Sequence, residues 1–158
     1  MRTGFLGAAL AAMAVVTGCR GPAEAERASS AEDTFAVEMK DSTGKPVAQG
    51  WLSLPRDIEE SKGFRGACAI KVLDIPAQPS TQQDYAFRCL SQTNGKLSGR
   101  LKNGSIRIAL QPETEDNTVY LEGQLAKQTF KGKWYYQSYA GYQECGPFDA
   151  NVAARKTP

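Results

Sequence analysis

The sequence contains no histidine. Ser-His-Asp and Cys-His catalytic sites need an imidazole as the general base, and histidine is also the commonest protein ligand of transition metals. The absence of histidine therefore excludes these two kinds of catalytic site, metal sites with histidine ligands, and pH sensing through a histidine side chain. We predict a protein without catalytic residues, metal ligands or a cofactor.

A strong charge of one sign is also missing. Lysine and arginine together number 19, and aspartate and glutamate number 17, which gives a net charge of +2. Arg2 is the only charged residue before position 19, so the rest of the chain has 18 basic and 17 acidic residues and a net charge of +1. A field this weak does not attract nucleic acid, and no nucleic-acid partner is predicted.

Long hydrophobic runs are scarce, and the one at the N-terminus is short. Phe5–Val16 follows Arg2 and is too short to span a bilayer comfortably. It ends in Val16-Thr17-Gly18-Cys19, where an aliphatic residue and two small residues precede a cysteine. This pattern resembles the lipobox of bacterial lipoprotein signal peptides. The alternative is an ordinary secretory signal with a chance cysteine.

The resemblance implies cleavage before Cys19 and acylation of that residue. Two or more acyl chains make a stable anchor in a membrane. Residue 20 is Arg rather than Asp, which in enteric-type sorting implies the periplasmic face of the outer membrane in the bacterial cell envelope. The expected organisation is a signal peptide at residues 1–18, a lipidated flexible tether at 19–33, a folded domain at 34–154 and a C-terminal tail at 155–158.

Lys96–Gln111 has the clearest strand pattern in the chain. Apolar residues and glycine alternate with other residues before and after Asn103-Gly104. Such alternation is typical of half-buried strands, and Asn-Gly between two strands is the strongest signal for a type I′ hairpin turn. Trp51 is the expected hydrophobic anchor of another strand. The other predicted strands are Phe35–Lys40, Val47–Leu54, Ala67–Ile75, Asp84–Ser91, Thr118–Leu125, Thr129–Ser138 and Pro147–Ala153.

Eight or nine short strands joined by hairpin-length links predict an all-β domain built as an antiparallel meander. Closure into an up-and-down barrel removes the exposed edges that such a wide sheet otherwise has. A two-sheet β-sandwich is the alternative. The barrel architecture is similar to that of the lipocalin and avidin families. No motif of either family is matched in order, so the resemblance carries over no binding residue.

The predicted phase of the strands gives the barrel an apolar interior. Gly99, Gly123 and Gly132 face inward within strands, where glycine marks either a bend or a place that needs room. They leave space for a small apolar ligand, or they serve the coiling that closes the barrel, and we favour the second interpretation. The other inward residues are predicted to be Phe87, Leu97, Leu101, Ile106, Ile108, Leu110, Val119, Leu121, Leu125, Phe130, Trp134, Tyr136, Phe148, Ala150 and Val152.

Three cysteines remain once Cys19 is assigned to lipid. Cys68 and Cys89 fall on successive predicted strands, and both point inward in the predicted phase. In an oxidising compartment we therefore predict a Cys68–Cys89 disulfide. Cys145 is then left as a free thiol or as the partner of another chain.

The C-terminal third is rich in aromatic residues. Trp134 and Tyr136 fit the core, whereas Tyr135 is predicted to face outward and Tyr139 and Tyr142 to lie in a loop. Exposed tyrosines give a large contact area at low entropic cost, so these three are candidate binding residues. A basic face on the central hairpin is a weaker candidate for phosphate-bearing lipid or polysaccharide, and it consists of Lys96, Arg100, Lys102 and Arg107.

These features favour a non-catalytic binding module. Enzymes collect convergent polar groups in a pocket, whereas the predicted inward positions are almost wholly apolar, so a histidine-independent enzyme ranks lower. The predicted partner is either a small apolar ligand inside the barrel or a protein or glycan at the tyrosines. A structural accessory subunit of an envelope complex is the main alternative.

Overall fold

The structure, a computed structural model, describes residues 31–74, 81–93, 95–114 and 116–153, which form eight strands and one helix. The predicted signal peptide and Cys19 lie outside these ranges. No helix of the described part is long and apolar enough to cross a membrane. The elements are β1 (Glu32–Lys40), β2 (Pro46–Pro55), β3 (Gly63–Val72), α1 (Gln82–Ser91), β4 (Lys96–Lys102), β5 (Ser105–Ala109), β6 (Thr118–Leu125), β7 (Thr129–Ser138) and β8 (Gly141–Val152).

The strands form a closed barrel. Each strand pairs antiparallel with the next along the chain, and β8 pairs antiparallel with β1. Phe35 lies opposite Val152 in this closing pair, so β1 begins and β8 ends at the same end of the barrel. The prediction of an all-β up-and-down barrel is confirmed, and the alternative of a two-sheet sandwich is wrong.

The β4–β5 hairpin turns at Asn103-Gly104, as the sequence predicts. The φ angle is 53° at Asn103 and 74° at Gly104. A type I′ turn needs such left-handed values at both central residues, and Asn and Gly tolerate them best. The turn sets the register in which Leu101 lies opposite Ile106.

The core fills the inside of the barrel. Most of the predicted inward residues are buried there. Leu101, Leu125 and Val152 are partly buried and pack against the core, and the inward glycines Gly99, Gly123 and Gly132 are also partly buried. Phe130 and Phe148 meet edge to face with ring centroids 4.7 Å apart. The predicted inward phase is therefore confirmed for the strands from β4 onward.

The segment predicted as the strand Asp84–Ser91 is instead helical. Thr81 caps the N-terminus of α1: its hydroxyl accepts a hydrogen bond from the Asp84 N–H at 3.2 Å, and the Asp84 carboxylate accepts one from the Thr81 N–H at 2.8 Å. This capping box satisfies two backbone donors that a helix end leaves unpaired. The helix packs on β3, β6 and β7 at one end of the barrel. Its buried residues are Ala86, Phe87 and Leu90, a helical spacing.

Trp51 is not a core anchor, which corrects the prediction for β2. The fully buried residues Leu52 and Leu54 point inward, and Trp51 is 42% exposed on the outer face. It lies opposite Ala36 on β1 and opposite Ala69 on β3. Because both neighbours are small, the indole ring has room on the outside of the sheet.

Candidate functional site

The inside of the barrel is occupied by its own side chains. The inward glycines leave no room there, because a Cβ on Gly123 would lie 2.0 Å from the Lys131 carbonyl oxygen, and one on Gly132 would lie 1.9 Å from that of Glu122. These glycines allow β6 and β7 to approach closely, which is the structural interpretation of the pattern. The largest fully buried side chains are Trp134, Phe130, Phe148, Met39, Leu52, Leu54, Leu90, Leu97, Ile106, Ile108, Leu110 and Leu121.

A groove of about 1170 Å³ lies on the outside of β3–β6. We call it the outer groove. Its floor contains two small residues, Ser98 and Ala109, which lie opposite each other on β4 and β5. Its charged and aromatic lining residues on the strands include Arg65, Arg100, Arg107 and Tyr120.

The barrel register explains why the groove forms here. One row across the sheet runs from Arg65 through Ser98 and Ala109 to Tyr120. The two small residues therefore lie between a long basic side chain on one side and an aromatic ring on the other. The neighbouring row, two residues away, places Arg100 directly opposite Arg107.

Loops close the groove at its two ends. After β2, the loop of residues 56–62 folds back on the end of β4, where the Ser61 N–H donates to the Leu101 carbonyl at 2.8 Å. The Glu60 carboxylate accepts a hydrogen bond from the Asn103 N–H beside it. At the other end, the Gln111 side-chain amide donates to the Cys89 carbonyl at 3.2 Å, which ties the β5–β6 link to α1.

The two facing arginines differ in their partners. The Arg107 Nε is 3.1 Å from a carboxylate oxygen of Glu122, and the guanidinium carbon of Arg107 is 4.1 Å from the centre of the Tyr120 ring. Arg100 is exposed and has no ion pair or hydrogen bond through its side chain within the described residues. Like charges directly opposite each other on neighbouring strands are destabilising. Arg100 therefore adds an uncompensated positive charge to the groove.

A cluster of tyrosines continues from the groove across β6, β7 and β8. We call Tyr120, Tyr135 and Tyr142 the tyrosine cluster. The rings of Tyr135 and Tyr142 stack with centroids 4.7 Å apart and an interplanar angle of 12°, and the Tyr120 ring is 6.2 Å from that of Tyr142. The Arg107 guanidinium lies 5.2 Å from the Tyr142 ring. The side chain of Arg107 therefore contacts the tyrosine cluster and also lines the outer groove.

Tyr142 is held in place by its backbone in β8 and by a hydrogen bond from its hydroxyl group. It belongs to β8 and not to a loop, which corrects the prediction. Its hydroxyl donates to a Glu122 carboxylate oxygen at 2.8 Å. Burial raises the pKa of Tyr142, and the hydrogen bond to the negative Glu122 raises it further. The phenol is therefore held neutral as a donor.

Of the three tyrosines predicted as binding residues, the structure brings two together. Tyr135 and Tyr142 stack, whereas Tyr139 is 86% exposed at the β7–β8 turn and is outside the cluster. Tyr120 was not predicted, although the alternation of β6 makes it point outward between buried Val119 and Leu121. Aligning β6 with β7 from the sequence would have placed it beside Tyr135.

No protein-family model matches the chain, and comparisons with curated proteins and with solved structures give no match either. The lipobox at Val16-Thr17-Gly18-Cys19 stays a prediction from the sequence.

The residues of the basic face predicted on the central hairpin do not all line the outer groove. Arg100 and Arg107 line the outer groove. Lys96 pairs with Glu113 at 2.8 Å, and this contact, with a smaller contribution from Arg65, lowers the pKa of the Glu113 carboxyl. The groove therefore takes its free positive charge from arginine rather than from lysine.

The predicted Cys68–Cys89 disulfide is absent, and Cys68, Cys89 and Cys145 are free thiols. The reason is the helix: Cys89 is on α1, where its sulfur is 4.0 Å from the Tyr136 hydroxyl, whereas the Cys68 sulfur is 3.8 Å from the Lys96 carbonyl. Burial raises the pKa of Cys68 to about 11 and that of Cys145 to about 12. Both stay protonated at neutral pH and are poor nucleophiles.

Proposed function

We propose that this chain is a lipid-anchored, non-catalytic binding protein of the bacterial envelope, and that it binds its partner in the outer groove. The observation that carries the proposal is the contrast between the two sides of the sheet. The inside is filled by the protein's own side chains, whereas the outside has a concave surface lined by three arginines and a tyrosine. A small apolar ligand in the interior is accordingly the weaker candidate.

The chemistry of the groove suits binding better than catalysis. A guanidinium has five N–H donors and cannot act as a base in a protein. Two carboxylates line the groove, Asp57 and Glu59, and Glu59 forms an ion pair with Lys62. The free thiols of Cys68 and Cys145 are buried in the core. The groove therefore offers charge and shape, and we assign it no acid–base pair.

The position of the groove fits a protein held by its N-terminus. Glu32, where β1 begins, lies opposite Pro55, which lines the groove. The end of the groove at Pro55 is therefore the end next to the proposed tether, and the Gln111–Pro112 end is the opposite one.

We expect Ala109→Trp to abolish binding, because an indole on the floor fills the groove without changing any charge. The test is calorimetric titration of the full-length protein in mild detergent. The titrants are oligogalacturonate, cello-oligosaccharide, phosphatidylglycerol in mixed micelles with the same detergent, and inorganic phosphate. Ala36→Trp is the matched control, since Ala36 is also an outward alanine but lies on β1. Equal binding by the two variants would place the site elsewhere, and no binding by the unmodified protein would favour a structural accessory role.

We expect Cys19→Ser to abolish acylation and lipoprotein-type processing of the protein. The reason is that the lipobox supplies the only sulfur at which this signal type is acylated, and a stable anchor needs two or more chains. Incorporation of labelled palmitate should fall to background, and the uncleaved precursor should accumulate. Cys145→Ser is the control, because its thiol is buried in the barrel. Labelling that survives Cys19→Ser contradicts the anchor but leaves the groove proposal intact.

A further inference from the structure

We infer that the partner in the outer groove is an anionic glycan, with its acidic groups between Arg100 and Arg107 and its sugar rings on the tyrosine cluster. The inference rests on the proposed function, and it adds the chemical class of the ligand. It is drawn from three properties of the site: a facing pair of arginines, a third arginine at a distance, and a fixed aromatic surface beside them.

The facing pair forms a site for one anionic group. Arg100 and Arg107 are opposite each other in the β4–β5 register. Glu122 already partners Arg107, and Arg100 has no partner within the described residues. A carboxylate or phosphate between the two guanidinium groups accepts charge-assisted hydrogen bonds from both and removes their repulsion. The site is therefore complementary to a negative ligand group.

A third arginine extends the positive surface beyond the facing pair. Arg65 is on β3 and Arg107 is on β5, and their backbones are two strand spacings apart, or roughly 10 Å across the sheet. A chain with acidic groups at intervals reaches both positions while it lies over the small floor residues Ser98 and Ala109.

The aromatic surface favours a sugar chain over an extended acidic peptide. Tyr135 and Tyr142 stack on each other, which covers one face of each ring. Their remaining faces and edges give an apolar body with a polar tip, which suits a sugar ring with its mixed C–H and hydroxyl faces. An extended peptide binds best by adding a strand to a free sheet edge. The eight described strands are paired on both sides, so they offer no such edge.

The acidic residues nearby do not oppose an anion strongly. Glu122 is neutralised by Arg107 and accepts the Tyr142 hydrogen bond. Glu59 is paired with Lys62. Once Arg107 is counted against Glu122, the groove has two arginines, Arg65 and Arg100, against one remaining carboxylate, Asp57.

The test is titration of the full-length protein in detergent with oligogalacturonate and phosphomannan as anionic glycans. Cello-oligosaccharide of equal length, phosphatidylglycerol in mixed micelles with the same detergent, and a single-stranded oligodeoxynucleotide serve as competing classes. We expect the anionic glycans to bind and added salt to weaken them. Arg100→Gln should lower their affinity by about tenfold or more, which is the size of one charge-assisted hydrogen bond. Lys71→Gln is the matched control, because it removes one exposed positive charge from β3 outside the groove.

The outcomes separate this inference from the proposed function. If Arg100→Gln has no effect while Ala109→Trp still abolishes binding, the groove is the site but its ligand is not recognised by charge, and the inference is wrong. Equal affinity for the neutral oligosaccharide also overturns it, and so does binding of only the phosphatidylglycerol micelles or only the oligonucleotide. If nothing in the panel binds the unmodified protein, both the inference and the proposed function fail.

Discussion

Trp134→Ala is expected to lower the free energy of unfolding by about 3–5 kcal/mol, the usual cost of truncating a large buried aromatic side chain. Trp134 is fully buried in the barrel. Its indole N–H donates to the Lys40 carbonyl at 2.7 Å, and its ring lies 6.1 Å from that of Phe87 on α1. The substitution therefore leaves a cavity, an unpaired carbonyl and a poorly supported helix. Urea unfolding measures the loss.

Trp51→Ala is the matched control because it makes the same chemical change on the other side of the sheet. Trp51 is 42% exposed, and we expect less than half the destabilisation of Trp134→Ala. The chain has two tryptophans, so each variant leaves one whose fluorescence can be read alone. Emission should be at shorter wavelength from Trp134 than from Trp51. The reverse order of stabilities or of wavelengths contradicts the inward and outward phases assigned to these strands.

The sequence predicts most of the barrel because its strands are half buried. A strand with one face in the core and one in solvent must alternate apolar and polar residues, and that alternation can be seen in the sequence without a structure. The hairpin at Asn103-Gly104 was equally clear, since few other residue pairs tolerate two positive φ angles. Closure followed from the need to cover the edges of a wide sheet.

The helix α1 was not predicted, because its sequence fits both the two-residue period of a strand and the 3.6-residue period of a helix. Phe87, Cys89 and Ser91 alternate with Arg88 and Leu90 in a way that resembles a strand. Two local signals favour the helix instead: the capping box from Thr81 to Asp84, and the absence of β-branched residues from Gln82–Ser91. The error in the disulfide followed from it, because it rested on Cys89 being in a strand.

The outer groove could be predicted only in part. The basic hairpin face and the outward Tyr135 were identified from alternation, but their alignment depends on the register of the strands. A shift of one residue turns every side chain to the other face. The loop of residues 56–62 adds an end wall through the contact of Ser61 with Leu101, a long-range contact that no local pattern indicates.

Gly132→Ala is expected to destabilise the barrel by about 3 kcal/mol or more, toward the upper range for an overpacked core. The added Cβ would lie 1.9 Å from the Glu122 carbonyl oxygen and 2.6 Å from the Gly123 Cα. Gly123 and Gly132 are directly opposite each other in the β6–β7 register. Both obstacles are backbone atoms, so no side-chain rotation relieves the clash, and the two strands must separate.

Gly63→Ala is the matched control, since it also adds one methyl group to a strand glycine. Its nearest contact would be the Gly99 carbonyl oxygen at 3.8 Å, an ordinary van der Waals distance. We expect it to change stability by no more than about 1 kcal/mol, with a gain from the stiffer unfolded chain. Urea unfolding of both variants decides between the two interpretations of the inward glycines, which are space for a ligand and close approach of the strands. If Gly132→Ala is as stable as Gly63→Ala, there is free space at Gly132, and a ligand inside the barrel regains its place as a candidate. A large loss confined to Gly132→Ala means that this glycine serves the close approach of β6 and β7 and does not leave room for a ligand inside the barrel.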